Sequence, residues 1–152
     1  MKALIVCVSV SHGNTRKVAD AMGEVLDARV VEPEQVDAAT IAASDLIGIG
    51  SGIQRMAFHP RVRAFVDSLP QVADKRAFVY STSGSREPRV WPYARRLARR
   101  LQAKGFDVAP TFSCRGWDTW LPLRVVGGLN KGRPNESDLS RARQFAEELR
   151  SR

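Results

Sequence analysis

The residues with the greatest capacity for chemistry lie near the start of the chain, in Ser9-Val10-Ser11-His12-Gly13-Asn14-Thr15. An apolar run, Ala3 to Val8, precedes them, and an amphipathic run, Lys17 to Leu26, follows. That order spells strand, short polar loop, helix. A helix starting here offers unpaired backbone N–H groups and the positive end of a dipole. Ser11, Asn14 and Thr15 add hydroxyl and amide donors, and Gly13 lets the backbone approach a ligand closely. Such a cradle suits a phosphate group. A Walker loop is excluded, because no Gly-Lys-Ser/Thr follows, and a dinucleotide fingerprint is excluded, because only one glycine is present. The same residue types also make ordinary helix caps, so the loop alone leaves both readings open.

Two further polar loops occupy equivalent positions. Ser51-Gly52-Ile53-Gln54 follows the apolar run Leu46 to Gly50, and Ser81-Thr82-Ser83-Gly84-Ser85 follows Ala77 to Tyr80. Short continuous apolar runs of this kind suit strands buried on both faces. Ala28 to Val31 reads as a short second strand, and Phe106 to Phe112 as a fifth, with Pro110 implying an edge or a bulge. Helices are expected over Lys17 to Leu26, Pro60 to Leu69, Trp91 to Lys104 and Asn135 to Leu149, the last capped by Asn135 or Ser137. Pro33 to Ala43 has helical patches but weak periodicity. Strands alternating with helices imply an α/β domain with a doubly wound parallel sheet and right-handed crossovers. Such a sheet brings the carboxyl ends of its strands, and with them the three polar loops, to one edge. No repeat, low-complexity tract or second domain is visible, so residues 1–152 read as one domain. The irregular stretch from Ser113 to Pro134 is long for a compact domain, and such loops often carry function.

The first loop resembles the phosphate loop of the flavodoxin family, whose members carry Thr-x-Thr-Gly-Asn-Thr there. Here Ser11-His12-Gly13-Asn14-Thr15 stands in its place, with His12 replacing a threonine. Ser9 with Gly13 and Thr15 is also similar to the Ser-x-x-x-Gly-x-Thr form of flavodoxin-like protoporphyrinogen oxidases. Gly50-Ser51-Gly52-Ile53 through His59 to Phe65-Val66 looks like the second loop and following helix of that branch. Phe112 to Thr119 and Gly128 to Asn135 are similar to small bacterial flavodoxin-domain proteins. The resemblance implies a flavodoxin-like, five-stranded sheet of order 2-1-3-4-5 and flavin mononucleotide (FMN) as cofactor. It assigns the phosphate to Ser9, Ser11, His12, Gly13, Asn14 and Thr15. The ring edges fall to Ser51, Gly52, Ile53 and Gln54 on one side and to Thr82, Ser83, Gly84 and Ser85 on the other.

Two departures from the family stand out. Flavodoxins stack the ring between a Trp of the second loop and a Tyr of the third. Here the second loop offers Ile53, Met56 and Phe58, and the third has no aromatic until Trp91, which leaves Trp117 or Trp120 of the long loop as substitutes. Flavodoxins also surround the flavin with negative charge, whereas Arg55 and Arg86 flank two of these loops. Positive charge there favours the reduced anion and raises the potential.

Composition narrows the function further. The chain has 152 residues, 43% apolar, with no apolar run long enough to span a bilayer. The run after Lys2 ends in the polar loop at Ser9, so it reads as a buried strand rather than a signal peptide, and a cytoplasmic location is expected. Cys7 and Cys114 do not form a disulfide framework, and two histidines, His12 and His59, are too few for most metal sites. No catalytic nucleophile with a base is evident. The net charge is +8, yet residues 1–85 hold nine basic and nine acidic side chains, so the whole excess lies in residues 86–152. Arg95, Arg96, Arg99 and Arg100 share one helix face, which is either a solvated surface or a docking face for an acidic partner or anionic surface. No basic region with interleaved aromatics argues for nucleic acid. Three readings follow: an FMN-binding electron-transfer protein with a redox partner protein or quinone; a protoporphyrinogen- or quinone-linked FMN oxidoreductase; and a flavin-free flavodoxin-like interaction module.

Overall fold

Leu4, Val6 and Val8 of the first strand join one hydrophobic cluster, while Ile5 and Cys7 join another. This is the two-residue period of a strand buried on both faces. The computed structural model describes residues 1–10, 12–116, 128 and 130–152. Along the chain they form β1 (Ala3–Val8), α1 (Asn14–Leu26), β2 (Arg29–Val31), a 3-10 turn (Pro33–Gln35), α2 (Ala38–Ala43) and β3 (Leu46–Gln54). Then come β4 (Ala57–Phe58), α3 (Pro60–Ser68), β5 (Arg76–Ser83), α4 (Tyr93–Ala103), β6 (Asp107–Val108), β7 (Phe112–Arg115) and α5 (Glu136–Ser151).

The sheet runs β2-β1-β3-β5, with β6 and β7 sharing the edge beside β5. All these pairings are parallel; among the described residues β4 alone is antiparallel, folded back on the end of β3. Helices α3 and α4 cover one face through Val62, Val66, Leu97 and Leu101. Helices α1 and α5 cover the other through Val18, Met22, Ala142 and Leu149. On that second face β3 presents Gly48 and Gly50, and a side chain at either would collide with the rings of Phe78 or Tyr80. The missing side chains give those large, fully buried rings their room.

This is the expected doubly wound fold in the 2-1-3-4-5 order, with the β4 hairpin added. Its fifth strand is interrupted. Between the Ala77–Val108 and Tyr80–Phe112 pairs, β5 spends two residues and its neighbour three. Pro110 sits in that extra length and has no N–H to give the ladder. The third and fourth strands run longer than their apolar cores, to Gln54 and Ser83, so much of the second and third polar loops is strand. Helix α1 starts at Asn14, earlier than the apolar pattern, while α4 starts at Tyr93, after Pro92. Asn135 caps α5, its side chain and that of Asp138 each accepting from the other's backbone N–H. Among the described residues no helix is long and apolar enough to cross a membrane.

Candidate functional site

The carboxyl ends of β1, β3 and β5 bring the three polar loops into contact. The Thr15 and Thr82 hydroxyls lie 2.8 Å apart, both buried. A Cβ on Gly52 would stand 3.7 Å from the Thr15 oxygen and 3.8 Å from that of Thr82. A cleft of about 1020 Å³ opens around this meeting point. That volume is at the upper end of the range typical for small-molecule sites.

Helix α1 forms one end of the cleft. Gly13, at φ 65°, is its N-cap and supplies no side-chain cap, and its first turn has no acidic residue but carries Arg16 and Lys17. The positive end of the dipole is therefore reinforced rather than neutralised. Asn14 and Thr15 line the cleft. Ser9, His12 and Gly13 lie outside its lining; the Ser9 hydroxyl accepts from the Arg16 N–H at 3.3 Å. Ser11 is outside the described residues.

The second loop is a hairpin. Gly52, Ile53 and Gln54 line the cleft, as do Arg55, Met56, Ala57 and Phe58 beyond them. Ser51 is turned inward and fully buried: its hydroxyl donates to the Gly52 carbonyl at 2.7 Å and accepts from the His59 N–H at 3.0 Å. The turn residues Arg55 and Met56 have φ 51° and 59°. Two-residue hairpins of this form normally use Asn-Gly, because a side chain there costs roughly 1–2 kcal/mol per residue. His59 also lines the cleft, and its Nδ1 accepts from the Arg61 N–H at 3.1 Å. Burial, then Arg61 and Arg63, hold its pKa below the usual value. The ring is thus kept neutral near pH 7 with its proton on Nε2.

Thr82, Ser83, Gly84 and Ser85 of the third loop all line the cleft, joined by Arg86 and Tyr93. A fourth segment closes against them. Gly116 donates its N–H to the Ser83 carbonyl at 3.1 Å, and a Cβ on Gly116 would come within 2.7 Å of the Asn14 amide. Asn130 donates from its amide to the Gly84 carbonyl at 2.9 Å. Arg133 then anchors this segment through hydrogen bonds to the buried Asp138 carboxylate, one of them 2.6 Å.

The aromatic expectations fare unevenly. Trp117 and Trp120 fall outside the described residues. Trp91 lines a neighbouring groove rather than the cleft, with the Arg96 guanidinium 4.0 Å over its ring. Phe58 and Tyr93 meet edge to face, centroids 6.0 Å apart at 80°, and both are buried. Among the described residues, the exposed large apolar side chains at the cleft are Val10 and Met56.

The electrostatic character is uniform. Arg55, Arg63, Arg86 and His59 line the cleft, and among the described residues no Asp or Glu does. Cys7 and Cys114 belong to the α1/α5 core, where burial pushes their thiols up to about 11 and about 12. Neither is a nucleophile at neutral pH. No cluster of His, Cys, Asp or Glu among the described residues is arranged to hold a metal. Sequence reasoning missed Val10, Arg63, Tyr93 and Gly116 as lining residues. Only Gly116 carried a signal, a glycine directly after a strand.

A family model described as a flavodoxin domain matches residues 5–113. An uncharacterized protein of Methanocaldococcus jannaschii is 36% identical over 154 residues, covering 98% of each chain. Among solved structures, a flavodoxin from the domain Archaea superposes with a TM-score of 0.76 at 20% identity, covering 99% of this chain and 97% of that one. Oxidised flavodoxin 2 of Bacillus cereus superposes at 0.73 with 21% identity and 99% coverage of both chains.

Proposed function

This chain belongs to the flavodoxin family, and from that premise we propose that it binds FMN in the cleft and uses it for electron transfer. The observation that carries the reading is the convergence of Thr15, Gly52 and Thr82 from three separate loops at the head of a cleft that no carboxylate lines among the described residues. An anionic cofactor fits that donor set. The α1 N-terminus, with Thr15 and Asn14, would hold the phosphate. Gly52, Ile53 and Gln54 on one side, and Ser83, Gly84 and Ser85 on the other, would hold the ring edges. When bound, FMN supplies the electron-accepting ring chemistry; the protein supplies orientation and electrostatics. Neutral His59 offers an Nε2–H donor in the cleft. Arg55, Arg63 and Arg86 favour whichever state of a bound group carries more negative charge. That charge supports a role unlike that of a strongly reducing carrier, with a quinone or a redox partner protein in the cytoplasm as counterpart.

The test is direct. Purified protein, loaded with FMN and dialysed, should keep the visible flavin spectrum, and riboflavin should wash out. Loss of both ligands on dialysis would leave the flavin-free interaction module as the better reading.

A further inference from the structure

A second depression adjoins the cleft, between the β3–β4 hairpin and α4. It encloses about 420 Å³, within the range of roughly 300–1,000 Å³ that small-molecule pockets occupy. Met56, Phe58, Arg63 and Tyr93 line both spaces. The floor is apolar: Phe58, Tyr93 and Leu97 are buried, while Met56 and Trp91 remain exposed. The rim is basic, with Arg63 from α3 and Arg96, Arg99 and Arg100 from α4. Arg100 is committed to Asp67 at 2.8 Å. Among the described residues no carboxylate lies within ion-pair distance of Arg63, Arg96 or Arg99.

A merely solvated helix face has its guanidinium groups in water beside polar neighbours. Here three unmatched guanidiniums border a concave apolar floor, and one already lies over a tryptophan ring. Guanidinium forks match carboxylates in plane, and aromatic faces take flat rings. A macromolecular partner would need a contact of about 1,000 Å² or more, for which a small hollow gives no particular advantage.

We propose that this groove binds a small planar aromatic carboxylate, its ring system against Met56, Phe58 and Trp91 and its carboxylate at Arg96 and Arg99. Its place beside the cleft makes it the small-molecule counterpart of the bound cofactor; that last assignment rests on the flavin reading, whereas the binding itself does not.

The experiment uses calorimetry on both the FMN-loaded and the flavin-free protein, with 2-naphthoate and the neutral 2-naphthylmethanol as probes. Naphthoate should bind about tenfold or more tighter than the alcohol, and the Arg96→Gln/Arg99→Gln variant should lose about tenfold for naphthoate alone. Arg95→Gln, on the same helix but outside the groove, should change affinity less than about twofold. Equal affinities for acid and alcohol overturn the proposal, as does an equal loss in the Arg95 variant. Binding of poly-glutamate by a protein that ignores naphthoate overturns it in favour of an acidic macromolecule. Protein that takes up no FMN yet binds naphthoate through Arg96 and Arg99 supports the groove and removes the flavin reading. FMN-loaded protein that ignores naphthoate does the reverse.

Discussion

The two flanks of the cleft are built in opposite ways. On the α1/α5 flank, polar groups answer one another: Thr15 with Thr82, Gly116 with Ser83, Asn130 with Gly84, Arg133 with Asp138. On the β4/α4 flank, a strained turn carries Arg55 and Met56, and among the described residues Arg63, Arg96 and Arg99 have no carboxylate within ion-pair distance. The first flank is largely self-satisfied, and what it still offers is a helix N-terminus with the Thr15 hydroxyl beside it. The second holds unspent positive charge and exposed apolar surface. On the proposed reading, recognition of the phosphate would fall to the first flank and recognition of the small carboxylate to the second.

The largest expected effect breaks the comparison at its phosphate end. Thr15→Ala removes a hydroxyl that would meet a charged phosphate, and bonds to charged groups contribute about 1.5–3 kcal/mol, or roughly 10- to 150-fold in affinity. FMN affinity should fall by that order, measured by fluorescence quenching, with riboflavin affinity nearly unchanged. Equal losses for the two ligands would move the phosphate elsewhere in the cleft.

Asp138→Ala asks whether the first flank is held as rigidly as its hydrogen bonds imply. It strips Arg133 of its partner and α5 of half its capping box. The expected cost is about 1–3 kcal/mol in urea unfolding, as for a buried polar group losing its partners. Burial pushes this carboxyl up, but the Arg133 and Asn135 hydrogen bonds outweigh it and hold the pKa below the usual carboxylate value. A lowered folded pKa contributes stability above the unfolded value of about 4, lost as pH falls through the folded one. The wild type should therefore lose part of its advantage over the variant below about pH 4. A constant difference across that window would show that the ion pair contributes little.

On the other flank a substitution should stabilise. Met56→Gly relieves a side chain held at φ 59°, and the gain should be about 1 kcal/mol after glycine's own entropic cost. The same change removes an apolar wall shared by cleft and groove. Higher thermal stability with weaker naphthoate binding would mark the turn as strain kept for function. Lower stability would mean that Met56 packing, not its backbone, decides the turn.

What the sequence made legible follows the same division. The apolar runs at Ala3–Val8, Leu46–Gly50 and Ala77–Tyr80 announced parallel strands, and the polar segments after them announced one shared edge. Nine of the fourteen residues assigned to the phosphate and the ring edges, among them Asn14, Thr15, Gly52 and Thr82, line the cleft. Ser51 has the right type and position, but alternation along β3 turns it into the interior, where its hydroxyl serves Gly52 and His59. The β3–β4 hairpin was illegible because Arg-Met is not a turn signal; the strain is accepted by the fold rather than written in residue preference. Arg63, Tyr93 and Trp91 come from elements distant in sequence, and only their packing gathers them at the groove.

The smallest effect concerns α4. Replacing Arg95, Arg96, Arg99 and Arg100 by Gln removes four charges, yet stability should change by only about half a kcal/mol, since surface substitutions rarely do more. Arg100 loses an ion pair with Asp67, but both side chains are about half exposed, and such pairs contribute little. Arg96 loses its position over Trp91, itself exposed. FMN retention should be unchanged, because none of the four lines the cleft. What should change is traffic with anions: naphthoate binding should weaken, and electron exchange with an acidic partner should slow and lose salt dependence. Four charges would then matter less to folding than the single Asp138 carboxylate on the opposite flank. A loss of several kcal/mol in the α4 variant would erase that contrast and make the arginine face part of the structural framework.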